Sequence, residues 1–232
     1  MTSRPFWLLR QVIDLPADNG WLGPAERRYL DSLAVDRRRM DWLLGRWVAR
    51  QALVAASAVG DARQLEIVKA DDGAPEVTVS GARAPVSLSL SHRSGHALCA
   101  LSPSGRVGCD LERVEPRSPA FVEDYFSTSE QELIAAAGEH GLSIAANALW
   151  SAKESVLKLL RLGLSVDSRS VEIFGGPSAE PVPEWRRFRA RSIESGGRFS
   201  GWWCRRGDLI LTVATELETG PPLQLSAAVE GE

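Results

Sequence analysis

The spacing of apolar positions along the 232-residue chain changes several times. Phe6 to Ile13 reads as a strand. From Asp36 to Ala58 the period becomes helical: Met40, Leu43, Leu44, Trp47 and Val48 form an apolar stripe. Arg39, Arg46 and Arg50 share a different face of that helix, one that a simple reading leaves in solvent. Leu65 to Lys69 is a short strand, and Asp71 to Pro75 is a turn by its Asp, Gly and Pro content. Val86 to Ser91, Ala97 to Ser102 and Arg106 to Val114 then read as strands, with a tight turn at Pro103, Ser104 and Gly105.

Helical spacing returns over Ser127 to Glu139 and Ser143 to Leu162, with Gly163 placed to stop the second helix. Val166 to Phe174, Trp185 to Ile193, Phe199 to Cys204 and Leu209 to Thr215 are expected strands, and Gly175 to Pro183 is a Gly- and Pro-rich loop. The order of strand, helix and strands thus occurs twice. It predicts an α+β protein of two halves, 1–115 and 116–232, joined near Val114 to Pro119. The weakly patterned tail from about 217 is expected to be partly disordered.

Composition narrows the class. Hydrophobic residues make up 44%, enough for a real core, and the formal net charge of −3 does not suit a general nucleic-acid binder. Cys99, Cys109 and Cys204 are odd in number and show no paired spacing, which fits a reducing, cytoplasmic setting. Met1 to Arg10 lacks the pattern of a secretory leader, no run approaches the ~20 apolar residues of a membrane span, and the three histidines have no zinc spacing.

Three clusters carry candidate chemistry. In Val107-Gly108-Cys109-Asp110-Leu111-Glu112, strand alternation aims Asp110 and Glu112 at one spot. Two carboxylates so placed suit a hard divalent cation such as magnesium, although D-x-E alone also fits an exposed strand. In Trp150-Ser151-Ala152-Lys153-Glu154-Ser155-Val156-Leu157-Lys158, Glu154 and Lys158 are helical neighbours. They read either as a surface ion pair or as a metal ligand and proton acceptor beside a phosphate-binding lysine. Ser91, His92 and Arg93 end a strand with three groups able to bind phosphate. G-x-S-x-G, Walker and G-x-G-x-x-G patterns are all absent, which removes hydrolase-elbow, P-loop and Rossmann readings.

Taken in order, S-H-R, G-C-D-L-E, F-S-T-S-E and W-S-A-K-E-S-V-L-K resemble the Sfp-type 4'-phosphopantetheinyl transferases over about Arg37 to Glu172. The resemblance implies two similar halves about a pseudo-twofold axis with coenzyme A between them. It implies that Asp110, Glu112 and Glu154 hold Mg2+ and that Glu130 supports the site. Lys158 would take the pyrophosphate and Lys153 would line the cofactor cleft. Ser91 and His92 would contact the ribose 3'-phosphate, with Arg93 and the arginine helix, through Arg46 and Arg50, as further candidates. Glu154 and Lys158 are then the catalytic pair, and Glu154 is the base unless a water intervenes.

Three departures from the family pattern stand out. Asp72-Gly73-Ala74-Pro75 replaces a G-K-P, so one phosphate-contacting lysine is missing. Cys109 sits at a usually aliphatic position, and Arg161 replaces the first glycine of G-x-G-L. The implied reaction moves the phosphopantetheine arm of coenzyme A to a serine of an apo acyl or peptidyl carrier protein and releases 3',5'-ADP. The implied enzyme is a cytoplasmic monomer with no nucleic-acid or membrane partner. The rival readings are a non-catalytic homologue that binds coenzyme A or a carrier, and a metal-dependent phosphohydrolase. For carrier docking, Arg37 to Arg50 and Arg113 to Phe126 are the candidate patches.

Overall fold

The computed structural model describes residues 4–59, 64–162, 166–176 and 184–226. The first half begins with β1 (Phe6–Gln11), α1 (Pro24–Asp31) and the long α2 (Asp36–Ala55). A small sheet follows, of β2 (Leu65–Lys69), β3 (Pro75–Val79) and β4 (Ala82–Arg83), and then the hairpin of β5 (Ser87–Arg93) and β6 (His96–Ser102). The second half contains β7 (Val107–Arg113), α3 (Pro119–Tyr125), α4 (Thr128–Ala136) and α5 (Leu142–Leu160). It ends with β8 (Val171–Phe174), β9 (Arg186–Ser192), β10 (Arg198–Arg206), β11 (Leu209–Thr215) and the two-residue β12 (Leu223–Gln224).

Each half packs one long helix on one sheet. Leu44, Val48, Ala52 and Leu53 of α2 close a core with Leu8, Ala97, Cys99 and Leu101. Leu149, Ala152, Val156 and Leu159 of α5 do the same with Phe188, Trp203, Ile210 and Ala214. A third core joins the halves where Trp7, Leu98 and Ala100 of the first sheet meet Cys109, Leu111, Leu211 and Val213 of the second. Removing these apolar groups from water supplies the main cohesion between the two sheets.

The sheets have strand orders β12-β1-β6-β5 and β7-β11-β10-β9-β8. β7, which the sequence pattern assigns to the first half, pairs antiparallel with β11 along its whole length and is the edge strand of the second sheet. The division therefore falls in the turn at 103–106 and not at 115. Within the tail, Leu223 and Gln224 pair in parallel with Phe6 and Trp7, and Leu225 is buried in the first core. A two-residue strand has no period to reveal it. Gly163 and residues 177–183 and 227–232 lie outside the described residues. α5 itself ends at Leu160, before Gly163, on Arg161 in the left-handed conformation (φ 60°, ψ 28°).

β5 and β7 are neighbouring edge strands of different sheets, and serine hydroxyls link them. Ser87 Oγ accepts from Val107 N at 3.3 Å, Ser89 Oγ accepts from Cys109 N at 2.9 Å, and Ser91 Oγ donates to Asp110 Oδ1 at 2.9 Å. The alternating serines of S-L-S-L-S thus satisfy polar groups that a continuous ladder would otherwise have paired.

On the other side of β7, α5 lies unusually close. A Cβ added at Gly108 would stand 1.9 Å from Ser155 O and 2.6 Å from Leu159 N. Both obstacles are backbone, so the helix itself would have to retreat. Gly108→Ala is therefore expected to destabilise the protein by about 3 kcal/mol, at the upper end of ordinary overpacking, measured as a lowered denaturation midpoint with unchanged slope. A midpoint equal to wild type would refute the close packing.

Candidate active site

Because Gly108 lets α5 settle on β7, residues one helical turn apart on α5 face Asp110. Lys158 Nζ lies 2.7 Å from Asp110 Oδ1, the oxygen that also accepts from Ser91. Lys158 thus pairs across to β7 and not, as helix spacing alone suggested, with Glu154. Desolvation alone would lower the pKa of its ammonium, but Asp110, Cys109 and Glu154 together hold it above the ordinary value.

Asp110 Oδ2 and Glu154 Oε1 are buried and have no hydrogen-bond partner. Burial pushes the Glu154 carboxyl up to about 7, and the nearby charge of Asp110 adds to the effect while Lys158 opposes it. Glu112 is also raised, by desolvation first and by Asp110 second. Its oxygens are nonetheless engaged: Trp150 Nε1 donates to Oε1 at 3.2 Å, Arg117 donates to Oε2 at 3.2 Å, and Arg93 Nε lies 3.5 Å from Oε2. Asn147 accepts from Arg117 at 2.8 Å and fixes that guanidinium. Among the described residues no three His, Cys, Asp or Glu side chains converge as a ready metal cluster. The reason is visible in Glu112, which is turned to Arg117 and Trp150. Asp110 and Glu154 present the two oxygens left without partners, and these are donors of the type a hard cation takes.

Several anticipated cofactor contacts are placed elsewhere. Lys153 is fully buried and does not line the cleft. Its ammonium contacts Glu130 Oε2 at 2.8 Å, Ser168 O at 3.1 Å and Val171 O at 2.7 Å, which uses all three of its donors. Glu130 is equally buried and accepts from Ser127 N and Ile173 N, each at 2.8 Å. This closed network ties α5 to the starts of α4 and β8. Arg50 is also turned inward, to Glu26 at 3.0 Å and Leu65 O at 2.7 Å. Arg93 is held by Glu112 and Glu115. Ser91 and His92 alternate on β5, so Ser91 faces Asp110 while His92 faces the other way, its Nδ1 3.7 Å from Asp41.

Two cavities flank the β2–β3 turn. One, of about 420 Å³, gathers Arg38, Arg46, Lys69 and His92, with Asp41 as its acidic member. Arg46 is buried against Trp42, its Nε has no partner, and desolvation lowers its pKa to about 10. This cation-rich hollow has the chemistry of a phosphate site. The other, of about 530 Å³, runs between the halves and includes Lys158 and Ser89. The sequence pattern assigned no individual role to Lys69, Arg38, Arg117 or Trp150, although Arg38 and Arg117 lie in the stretches expected to dock a carrier. Trp150 does stand in the W-S-A-K-E run, but periodicity cannot say which carboxylate its indole reaches.

Two α+β halves facing across a cleft, with buried carboxylates, a lysine beside them and a cationic hollow, have the chemistry of a site for a phosphorylated ligand. The chain belongs to the 4'-phosphopantetheinyl transferase superfamily. That superfamily's model matches residues 106–214, and the model of the 4'-phosphopantetheinyl transferase N-terminal domain matches residues 25–102. The chain is similar to "4'-phosphopantetheinyl transferase AcpT" of Salmonella typhimurium, 30% identical over 123 residues, and to the same-named protein of Salmonella typhi, 29% identical over 123 residues. Each match takes in 52% of this chain and 58% of the relative, so the chain spans little more than half the length of these relatives. The matched models divide near where the sheets do, with residues 103–105 between them.

Two measurements follow. Lys153→Ala leaves the Glu130 carboxylate buried and unpaired, so it is expected to cost about 3–5 kcal/mol of stability. A loss below about 1 kcal/mol in chemical denaturation would refute the network. For Glu154 the sign runs the other way. Its native pKa of about 7 is above the ordinary 4.5, so ionising it costs the folded state, and stability is lost as pH rises from 4.5 to 7. In chelator-treated protein, Glu154→Gln should therefore match wild type near pH 4.5 and exceed it by about 3 kcal/mol at pH 8. Parallel denaturation curves at the two pH values check this.

Proposed function

We propose that this protein transfers the 4'-phosphopantetheine arm of coenzyme A to a serine of an apo acyl or peptidyl carrier protein and releases 3',5'-ADP. The observation that carries the reading is the pair of unpartnered buried oxygens, Asp110 Oδ2 and Glu154 Oε1, set beside Lys158. Magnesium would be held by Asp110 and Glu154, with Glu112 completing the set on leaving Arg117. When bound it supplies positive charge to a pyrophosphate.

The chain's own residues account for the rest. Arg38, Arg46, Lys69 and His92 offer their hollow to the 3'-phosphate. Lys69 takes the part that the turn's missing lysine would have played. Lys158 lies where the pyrophosphate would enter from the interdomain cavity and opposes the charge that gathers on the departing 3',5'-ADP. Glu154 borders a second opening lined by Phe121, Tyr125 and Trp150, which is open to an approaching serine. Glu154, through its second oxygen or a water that it orients, would accept that serine's proton. The serine oxygen then bonds to the β-phosphorus of coenzyme A as the bond to the bridging oxygen breaks, giving a phosphodiester. Nothing in this scheme needs a second chain, a membrane or nucleic acid, and no helix among the described residues is long and apolar enough to cross a membrane. The buried, unpaired cysteines suit a cytoplasmic setting.

The test is incubation with coenzyme A, magnesium and an apo carrier, followed by intact mass of the carrier. A gain of the phosphopantetheine mass is expected. Coenzyme A binding with no gain would favour a non-catalytic homologue, and breakdown of coenzyme A with no gain would favour a hydrolase. Lys158→Ala should lower kcat about a hundredfold or more, since its contact strengthens as charge develops. Lys158→Arg should recover only part of this. A Lys158→Ala variant within about threefold of wild type would remove the lysine from the mechanism.

A further inference from the structure

Two departures from the family pattern meet in space. Asp72 stands in the turn that lacks its lysine, and Arg161 stands where a glycine is usual at the end of α5. Arg161 Nε lies 2.5 Å from Asp72 Oδ2, and one terminal nitrogen donates to Asp72 Oδ1 at 2.9 Å. The same guanidinium reaches Glu76 Oε1 at 3.0 and 3.1 Å, and Arg83 also lies 3.1 Å from that oxygen. Asp72 and Glu76 belong to the β2–β3 hairpin of the first half, whereas Arg161 caps the helix that carries Glu154 and Lys158 in the second.

An isolated, partly exposed ion pair contributes little, but here the terminal nitrogens of one guanidinium donate once to Asp72 and twice to Glu76 Oε1, so that it bridges two carboxylates. Arg161 also holds a left-handed backbone conformation that glycine would adopt without strain, so the position keeps a side chain at a conformational cost. The hairpin turn it grips is the shared wall of both cavities: Gly73 and Pro75 border the cationic hollow and the interdomain cavity alike.

We propose that Arg161 is a positioning residue whose clasp on Asp72 and Glu76 fixes the β2–β3 turn against α5. The clasp thereby sets the spacing between the cationic hollow and Lys158 that a polyphosphate ligand must span. The inference rests on the proposed function for the identity of that ligand, coenzyme A, though not for the clasp itself. Arg161 borders the interdomain cavity, but its guanidinium is spent on the two carboxylates. It holds the wall between the two places where phosphates would sit.

Arg161→Gly is the informative variant, because glycine keeps the helix end intact and the protein should fold normally. Its KM for coenzyme A is expected to rise about tenfold with kcat within about threefold, and hydrogen exchange over residues 70–76 to quicken. Asp72→Asn/Glu76→Gln should reproduce both changes, and adding Arg161→Gly to it should add nothing further. If Arg161 instead bound phosphate directly, removing its two carboxylate partners would tighten coenzyme A binding while Arg161→Gly weakened it, and those opposite signs would overturn the proposal. Unchanged exchange over residues 70–76 in Arg161→Gly would overturn it as well. Failure of the functional reading looks different: wild type itself would then leave the carrier's mass unchanged, and the exchange measurement would still decide whether the clasp holds the turn.

Discussion

The contact between α5 and β7 at Gly108 governs the rest of the site. A helix normally stands off a strand by the thickness of its side chains. Here one missing Cβ lets the backbone of Ser155 and Leu159 settle against the strand. That approach carries Lys158 to hydrogen-bonding distance of Asp110 and brings the Glu154 carboxyl within reach of the same charge. The seat is locked from both ends. Ser151 and Thr212 hydroxyls meet at 2.9 Å between α5 and β11, and Lys153 anchors the opposite face of the helix to Glu130 and the carbonyls of Ser168 and Val171. Lys153 and Glu154 are adjacent in sequence but point to opposite ends of the design: one is fully satisfied, and the other has an oxygen without a partner. The first makes the second tolerable, since a helix held this firmly cannot rotate Glu154 out to water.

The cleft exists because the two sheets meet edge to edge without merging. β5 and β7 run side by side, and joining them through backbone hydrogen bonds would give one continuous sheet with no opening beside Asp110. The serines at 87, 89 and 91 put a side chain's width between the strands while still pairing the buried amides of Val107 and Cys109. Ser91, the last of the three, spends its hydroxyl on Asp110 and so orients the carboxylate at the mouth of the cleft. Cysteine at 109 is fully buried between the sheets, where its small size serves as well as an aliphatic group.

Much of this was legible in the sequence where it depends on local period. The apolar stripes gave α2 and α5 nearly to their ends, and strand alternation placed Asp110 and Glu112 on one face of a strand, while only the family resemblance joined them to Glu154. Partner choice was not legible. Helix spacing offered Glu154 to Lys158, but the nearer charge across the interface was Asp110. Arg46 and Arg50 looked like a solvated face, yet Glu26, on a helix too short to show a period, draws Arg50 inward, and Trp42 covers Arg46. Lys153 looked like a cleft residue because its neighbours in the motif are. Its rotation on the helix, a third of a turn from Glu154, sends it into the core instead. The halves were divided one strand too late for the same reason: β7 follows the first sheet in sequence but bonds to the second.

The charge balance at the centre explains why carboxylates without partners persist there. Asp110, Glu112 and Glu154 are opposed by Lys158, Arg117 and Arg93, but the last two are shared with Glu115. The site is therefore short of positive charge, which adds to the burial that displaces Glu154 up to about 7 and Glu112 upward. In a protein under selection for stability alone, replacing Glu154 by an uncharged residue would relieve the strain, as buried unpaired ions generally cost more than they contribute. A phosphate-bearing substrate adds negative charge to an already electron-rich pocket, so Lys158 by itself cannot admit it. On the proposed function, a cation entering with the substrate would take the oxygens that Asp110 and Glu154 leave bare and make the arrangement favourable. The deficit would then be a device: the apo site disfavours its own ionised state, and binding of cation and phosphate together would be coupled through the same three carboxylates.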